Sequence, residues 1–216
     1  WEDWQEIVAR YWGYVTMIDD LVGRMLGALD RLGLVDDTIV ILSTDHGDNM
    51  GAHKLFEKGP FFDDECFRIP MIAAHPDCSR PGGTTDEFVY LQDLFSSLLE
   101  VAGLEGEAQP DTQSILPLLK GREESTGRDS VYCQFNAQIQ AHRSRMVRTH
   151  THKFVFSQAD IGELYDLVED PHELDNLFGL PEHRGTQEEL MALMQTHMER
   201  VGDPMRGPFM QVRHIY

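Results

Sequence analysis

The chain has 216 residues, room for one large domain or two small ones, and carries 37 acidic against 18 basic side chains for a formal net charge of −19. That balance argues against nucleic acid and against an anionic membrane surface, because both are held by a basic face. No apolar run approaches the roughly 18 residues of a spanning helix, and 41% hydrophobic with 25% charged residues is the composition of a globular chain.

The clearest periodicity lies in residues 1–32. Ile7, Val8, Tyr11, Trp12, Val15, Ile18, Leu21, Val22, Met25, Leu26, Leu29 and Leu32 recur at three- and four-residue steps, one face of a long helix. Gly33 stands where a left-handed cap is expected. The chain opens at Trp1 inside this pattern, with no Met and no leader-like segment, so a preceding segment is expected and the compartment is left open.

Asp36-Asp37 breaks the helix, and residues 38–42 follow as an unbroken apolar, β-branched run. Residues 69–74 form a second such run. Unalternating strands beside helices predict neighbouring parallel strands covered on both faces. Residues 88–101 predict another helix, with Leu91, Phe95 and Leu98 among its inner stripe. Residues 104–129, rich in Gly, Pro, Glu and Gln, read as a surface connection.

Short strands are then expected at 130–135, 145–149 and 153–156, with 164–167 as a fourth, and an amphipathic helix at 182–201 turns Leu190, Leu193, Met194 and Met198 inward. The predicted fold class is therefore α/β: part of a parallel or mixed sheet flanked by helices, then a small antiparallel sheet with a packed helix. The divisions are 1–103, a connection at 104–129, and 130–216.

Cys66, Cys78 and Cys133 form no C-x-x-C pair, which indicates neither a zinc site nor a disulfide framework. The chemistry concentrates instead in Ser43-Thr44-Asp45-His46-Gly47-Asp48, at the carboxyl end of the 38–42 strand, where open α/β sheets bind their ligands. A carboxylate and an imidazole side by side on a turn are plausible ligands for one cation, and Gly47 lets the backbone swing away. Lys58 follows in a loop that leads, through Glu65 to Pro70, into the next strand, so it can reach the same crevice.

The stretch STDHGDNMGAHKLFEKGPFFDDECFRIPMI resembles the second signature of type I sulfatases, which have the alkaline-phosphatase-like fold. Three further stretches agree in order. The helix with Met17-Ile18-Asp19-Asp20 and Gly23 resembles the family's helix before this strand, and residues 114–121 (SILPLLKG) are similar to its "SL.PLL.G" segment. Met146-Val147-Arg148, Lys153-Phe154 and Glu163-Leu164-Tyr165-Asp166-Leu167, with Asp170-Pro171, Glu173 and Asn176-Leu177, resemble its closing hairpin.

The resemblance implies that Asp45 and His46 are metal ligands, that the ion is a divalent cation, calcium by family precedent, and that Lys58 contacts the sulfate oxygens. His53 falls near the pocket by the same match, whereas Arg68 matches a residue with a structural role. It also implies a sulfuric ester hydrolase acting on a small-molecule or carbohydrate sulfate ester. The family's nucleophile is a formylglycine made in a C/S-x-P/A-x-R motif, and no such motif is present: Cys78-Ser79-Arg80-Pro81 has similar letters in the wrong order.

The resemblance thus covers the C-terminal half of such an enzyme, with the formylglycine and the remaining metal carboxylates expected in the N-terminal half and these residues inert alone. Two alternatives stand beside it. Phosphonate and phosphate monoester hydrolases of the same superfamily share this half, and a truncated, non-catalytic module would keep the fold without the chemistry.

Overall fold

The computed structural model describes residues 2–104, 106, 111–122, 125–136, 142–158 and 160–212. Trp1 and, within the connecting segment, residues 105, 107–110 and 123–124 lie outside them. The first helix, α1 (Glu2–Leu32), opens on Glu2 and Asp3, which suit the positive end of its dipole. It stops at Gly33, whose φ is 66°. There Leu34 N–H reaches Leu29 C=O at 2.9 Å and Gly33 N–H reaches Asp30 C=O at 3.0 Å, a Schellman arrangement. Among the described residues of α1 none is buried, and Trp12 and Met25 are 64% and 61% exposed. The expected packing of this helix on the sheet is thus not met within the described residues, and most of its apolar stripe is exposed.

Strand β1 (Val40–Ser43) is followed by a long excursion holding a 3-10 turn at Ala52–Lys54 and one short α-helix, α2 (Asp64–Phe67), and then by β2 (Met71–Ala74). The two strands pair antiparallel, Val40 opposite Ala74 and Ser43 opposite Met71. The parallel pairing expected from sequence is therefore corrected. A parallel neighbour needs a crossover that carries the chain back along the strand, usually on a helix; four residues of α2 cannot do so, and residues 44–70 leave and return at one end. The apolar runs misled because they signal covered faces, whereas Leu42 and Ile72 are 40% and 66% exposed here.

Helix α3 (Asp93–Val101) begins later than residue 88 because Asp93 closes a turn in front of it. Its buried carboxylate accepts from Tyr90 N–H at 2.7 Å, Gln113 N–H at 3.1 Å and Arg128 Nη2 at 2.8 Å. Ser97 Oγ accepts from Ile115 N–H at 2.8 Å, just ahead of the short helix α4 (Leu116–Leu119). The helix thus turns Asp93, Ser96 and Ser97 inward to satisfy the irregular chain at 112–115, and Leu91, Phe95 and Leu98, expected inside, are exposed.

The C-terminal part is a four-stranded antiparallel meander, β3 (Val131–Phe135), β4 (Ser144–Arg148), β5 (His152–Ser157) and β6 (Glu163–Asp166), in sequential order. Helix α5 (Arg184–Val201) lays Leu190, Met191, Met194 and Met198 on Val147, Phe154 and Leu164, and α6 (Arg206–Val212), which the sequence did not suggest, adds Phe209. The α5–α6 turn is held by a buried pair: Arg145 Nε donates to Asp203 Oδ2 at 2.6 Å and Nη2 to Oδ1 at 3.0 Å. Tyr132 Oη and Gln134 Nε2 donate to Asp203 Oδ2 at 2.6 and 2.7 Å, and Met205 N–H to Oδ1 at 2.7 Å.

Asp203→Ala should therefore strand a buried guanidinium and cost about 3–5 kcal/mol, read as a lower urea midpoint at unchanged slope. Burial alone would raise the Asp203 carboxyl, but the bonds from Arg145, Tyr132 and Met205 hold it below its ordinary value. Its contribution is complete above pH about 4 and is lost as pH falls through the depressed value. Urea titrations over that range should show the wild type losing stability with acid faster than Asp203→Asn.

Candidate active site

Because β1 and β2 are antiparallel, everything between them gathers at one end of the pair. The chain leaves β1 at Thr44, whose Oγ1 donates to His46 C=O at 3.1 Å. Asp45 Oδ1 accepts His46 N–H at 3.0 Å, and Asp45 Oδ2 lies 3.5 Å from His46 Nε2. Backbone N–H groups of Asp45 and His46, and then the imidazole, hold the Asp45 carboxyl below its ordinary value, so it is an anion near neutrality.

His46 Nδ1 sits 3.0 Å from Gly47 C=O. A carbonyl only accepts, so Nδ1 is the donor of this pair and Nε2 is left to face Asp45. Nε2 and Asp45 Oδ2 thus present two adjacent donors at the surface. This donor set fits a divalent cation: one hard oxygen, one imidazole nitrogen, with the imidazole's other nitrogen fixed by a carbonyl as in known metal sites.

Gly47 is required by close approach. Its N–H donates to Cys66 C=O at 2.9 Å, and a Cβ there would lie 1.9 Å from Glu65 C=O. The Asp45-His46 turn is thereby seated on α2. Beyond it the chain folds into a hairpin: Met50 N–H reaches Phe56 C=O at 3.2 Å, Gly51 N–H reaches Leu55 C=O at 2.8 Å, and buried Asn49 donates Nδ2 to Glu57 C=O at 3.2 Å. Trp4 of α1 covers the tip, 3.6 Å from where a Gly51 Cβ would be and edge-on to Phe56.

Lys58 follows Glu57 on the returning leg, exposed and without an ion pair among the described residues. So the structure brings Asp45 and His46 into contact and puts Lys58 on the same excursion, one leg of the hairpin away. Arg68 lies at the surface, 3.9 Å from Asp64.

Beneath the excursion is a polar cluster that local sequence reading missed. Lys153 Nζ donates to Phe62 C=O at 2.7 Å and forms ion pairs with Asp64 Oδ1 at 3.1 Å and with Glu173 Oε1. Arg148 pairs with Asp64, whose own N–H donates to Glu173 Oε2 at 3.2 Å. Burial would raise the Asp64 carboxyl, yet Lys153 and Arg148 hold it below its ordinary value; for Glu173 burial wins and the carboxyl is raised.

His53 adds Nε2 at 3.5 Å from Glu65 Oε2 and 4.0 Å from Asp63 Oδ1. His53, Asp63 and Glu173 offer donor atoms within 4.8 Å of one another, and the Lys153 ammonium already pairs with Glu173. The letters Arg148, Lys153 and Glu173 were visible as motif positions. Asp64 was not, since its partners lie 84 to 109 residues away.

The turn of Asp45 and His46 lies at a strand end, the hairpin that leads to Lys58 follows it, and a small antiparallel sheet closes the chain. The family described as N-sulphoglucosamine sulphohydrolase, C-terminal, matches residues 51–200, which include His53, Lys58 and Lys153. The chain belongs to the type I sulfatase family, whose C-terminal half it matches.

It is 29% identical over 207 residues to an N-acetylglucosamine-6-O-sulfatase of Bacteroides thetaiotaomicron, covering 93% of this chain and 37% of that protein. It is similar to the solved structure of BT4656 in complex with its substrate D-glucosamine-2-N,6-O-disulfate, with a TM-score of 0.79, 30% identity, and 88% and 40% of the two chains covered. The phosphonate monoester hydrolase of Agrobacterium radiobacter gives a TM-score of 0.72 at 28% identity, over 85% and 40% of the chains. The chain spans less than half the length of these relatives.

Lys153→Ala should leave Asp64 and Glu173 without their shared cation and cost about 3–5 kcal/mol. Chemical denaturation checks this. Lys153→Met should be no milder than Lys153→Ala, since the loss is the charge and not the volume.

Proposed function

We propose that this chain is the C-terminal part of a sulfatase that hydrolyses sulfate esters of a carbohydrate, the glucosamine type being favoured by the relatives. In this reading Asp45 and His46 supply two ligands to a divalent cation, calcium by family precedent. When bound, the ion supplies a positive charge that offsets charge on the reacting groups and lowers the pKa of oxygen held on it. The observation that carries the reading is His46 Nδ1 at 3.0 Å from Gly47 C=O, which turns Nε2 toward Asp45 Oδ2, 3.5 Å away.

Lys58 binds the sulfate oxygens. Its exposed ammonium on a short hairpin leg is free to meet an anion that approaches the Asp45-His46 turn, and it favours charge that builds on those oxygens. The net charge of −19 repels anions at long range, so attraction has to be concentrated at this one cation-bearing edge. The formylglycine nucleophile and the remaining metal carboxylates are assigned to polypeptide outside these 216 residues. The unburied apolar stripe of α1 and the exposed faces of β1 and β2 suit a covering of that kind.

The test is hydrolysis of N-acetylglucosamine 6-sulfate, an aryl sulfate and an aryl phosphonate monoester by the longest natural form of the protein that contains this chain. Lys58→Ala should lower kcat on the sulfate esters by about 100- to 1,000-fold, and Asp45→Ala should abolish turnover that calcium restores in the wild type after chelation. Faster turnover of the phosphonate than of either sulfate would move the assignment to the phosphonate hydrolases, and wild-type rates from Asp45→Ala would remove the metal reading.

A further inference from the structure

The hairpin that carries Lys58 holds a backbone that its own residues disfavour. Met50, His53 and Lys54 have φ of 44°, 51° and 62°, beside Gly51 at 105°. L-residues with side chains rarely occupy that region, and such outliers persist where surroundings over-determine them, characteristically at functional sites. Here the surroundings are identifiable. The His53 side chain is 17% exposed and lies between Asp63 and Glu65, at 4.0 and 3.5 Å from Nε2. Those two acids flank Asp64, which Lys153 and Arg148 hold. Asn49, 3% exposed, closes the base of the hairpin on Glu57 C=O, the residue before Lys58.

The Asp45-His46 turn is seated on the same helical turn, through Gly47 N–H and Cys66 C=O. One short element, α2, is thus the reference for both halves of the site. It sets the turn through Gly47 and the hairpin through His53.

We propose that His53 is a positioning residue for Lys58. Its imidazole, held by Asp63 and Glu65, fixes the strained tip against α2, so that Lys58 keeps one placement relative to the Asp45-His46 turn. The proposal rests on the reading of Lys58 as the sulfate-binding cation. A side chain without this reach leaves the ammonium to sample several placements, which lowers turnover without removing any group that touches substrate.

The experiment is steady-state kinetics on N-acetylglucosamine 6-sulfate, with calcium, in the longest natural form of the protein, using His53→Asn, His53→Gln, Lys58→Ala and the double variants. Asn tolerates the left-handed backbone but falls short of Asp63 and Glu65, whereas Gln keeps a donor at about the reach of Nε2. His53→Asn should lower kcat/KM about 10- to 100-fold, His53→Gln should restore most of it, and thermal midpoints should show both variants folded. In the Lys58→Ala background His53→Asn should change kcat/KM by less than about twofold, because the two residues act as one unit. Fully additive losses, or a His53→Asn enzyme within about twofold of wild type while Lys58→Ala is impaired, would overturn the proposal alone. An unimpaired Lys58→Ala enzyme would instead overturn the reading of Lys58, and the proposal with it.

Discussion

Lys153 carries its ammonium group into a space that water scarcely reaches, 1% exposed, between the carboxylates of Asp64 and Glu173. The ammonium donates to Phe62 C=O and forms ion pairs with Asp64 and Glu173. With Arg148 on the other side of Asp64, two cations meet two anions. Such a cluster gains little over a well-packed apolar core, but losing any one member leaves a buried charge with nowhere to go. It therefore acts as a constraint on geometry. Four charges from β4, β5, the loop after β6 and α2 have one arrangement in which they cancel.

That arrangement seats the excursion between β1 and β2 on the C-terminal sheet. Phe62, 2% exposed, packs on Met146 and Val155 next to the ionic cluster, so an apolar contact and a charged one fix the same three residues ahead of α2. A helical turn of four residues has no stability of its own; α2 exists because Glu173 accepts its first N–H and Lys153 holds its first carboxylate. Gly47 docks on one end of this turn and His53 on the acids at its start. The strand pair β1–β2 supplies only the point of departure. The placement of the chemistry comes from a sheet that is far away in sequence.

Much of this was legible in the chain. The 3.6-residue period of α1 ran cleanly to Gly33, and the short strands of 130–167 with the Leu and Met stripe of α5 marked a small antiparallel sheet closed by a helix. Asp45, His46 and Lys58 were singled out because a carboxylate, an imidazole and a lysine follow one strand end; the sequence showed their types and order. What was not legible depends on partners. Residues 38–42 and 69–74 read as parallel because an apolar run reports covered faces and not direction. Direction was set by the lack of a crossover helix in 44–70, a weaker signal. The inner face of α3 was misjudged because Asp93, Ser96 and Ser97 serve the backbone of a connection that has no pattern of its own. Asp64 was invisible, since a single acid among Asp63, Asp64 and Glu65 acquires its role from Lys153 and Glu173.

The central claim is that Asp45 and His46 hold a cation while Lys58, set by the α2 platform, meets the sulfate. A crystal structure of the longest natural form of the protein, grown with calcium and a sulfated glucosamine, tests it most directly. The account predicts one calcium ion bonded to Asp45 Oδ2 and His46 Nε2 and Lys58 Nζ within hydrogen-bond distance of a sulfate oxygen. A sulfate bound elsewhere with Lys58 turned to solvent, or an ion that contacts neither Asp45 nor His46, would contradict it.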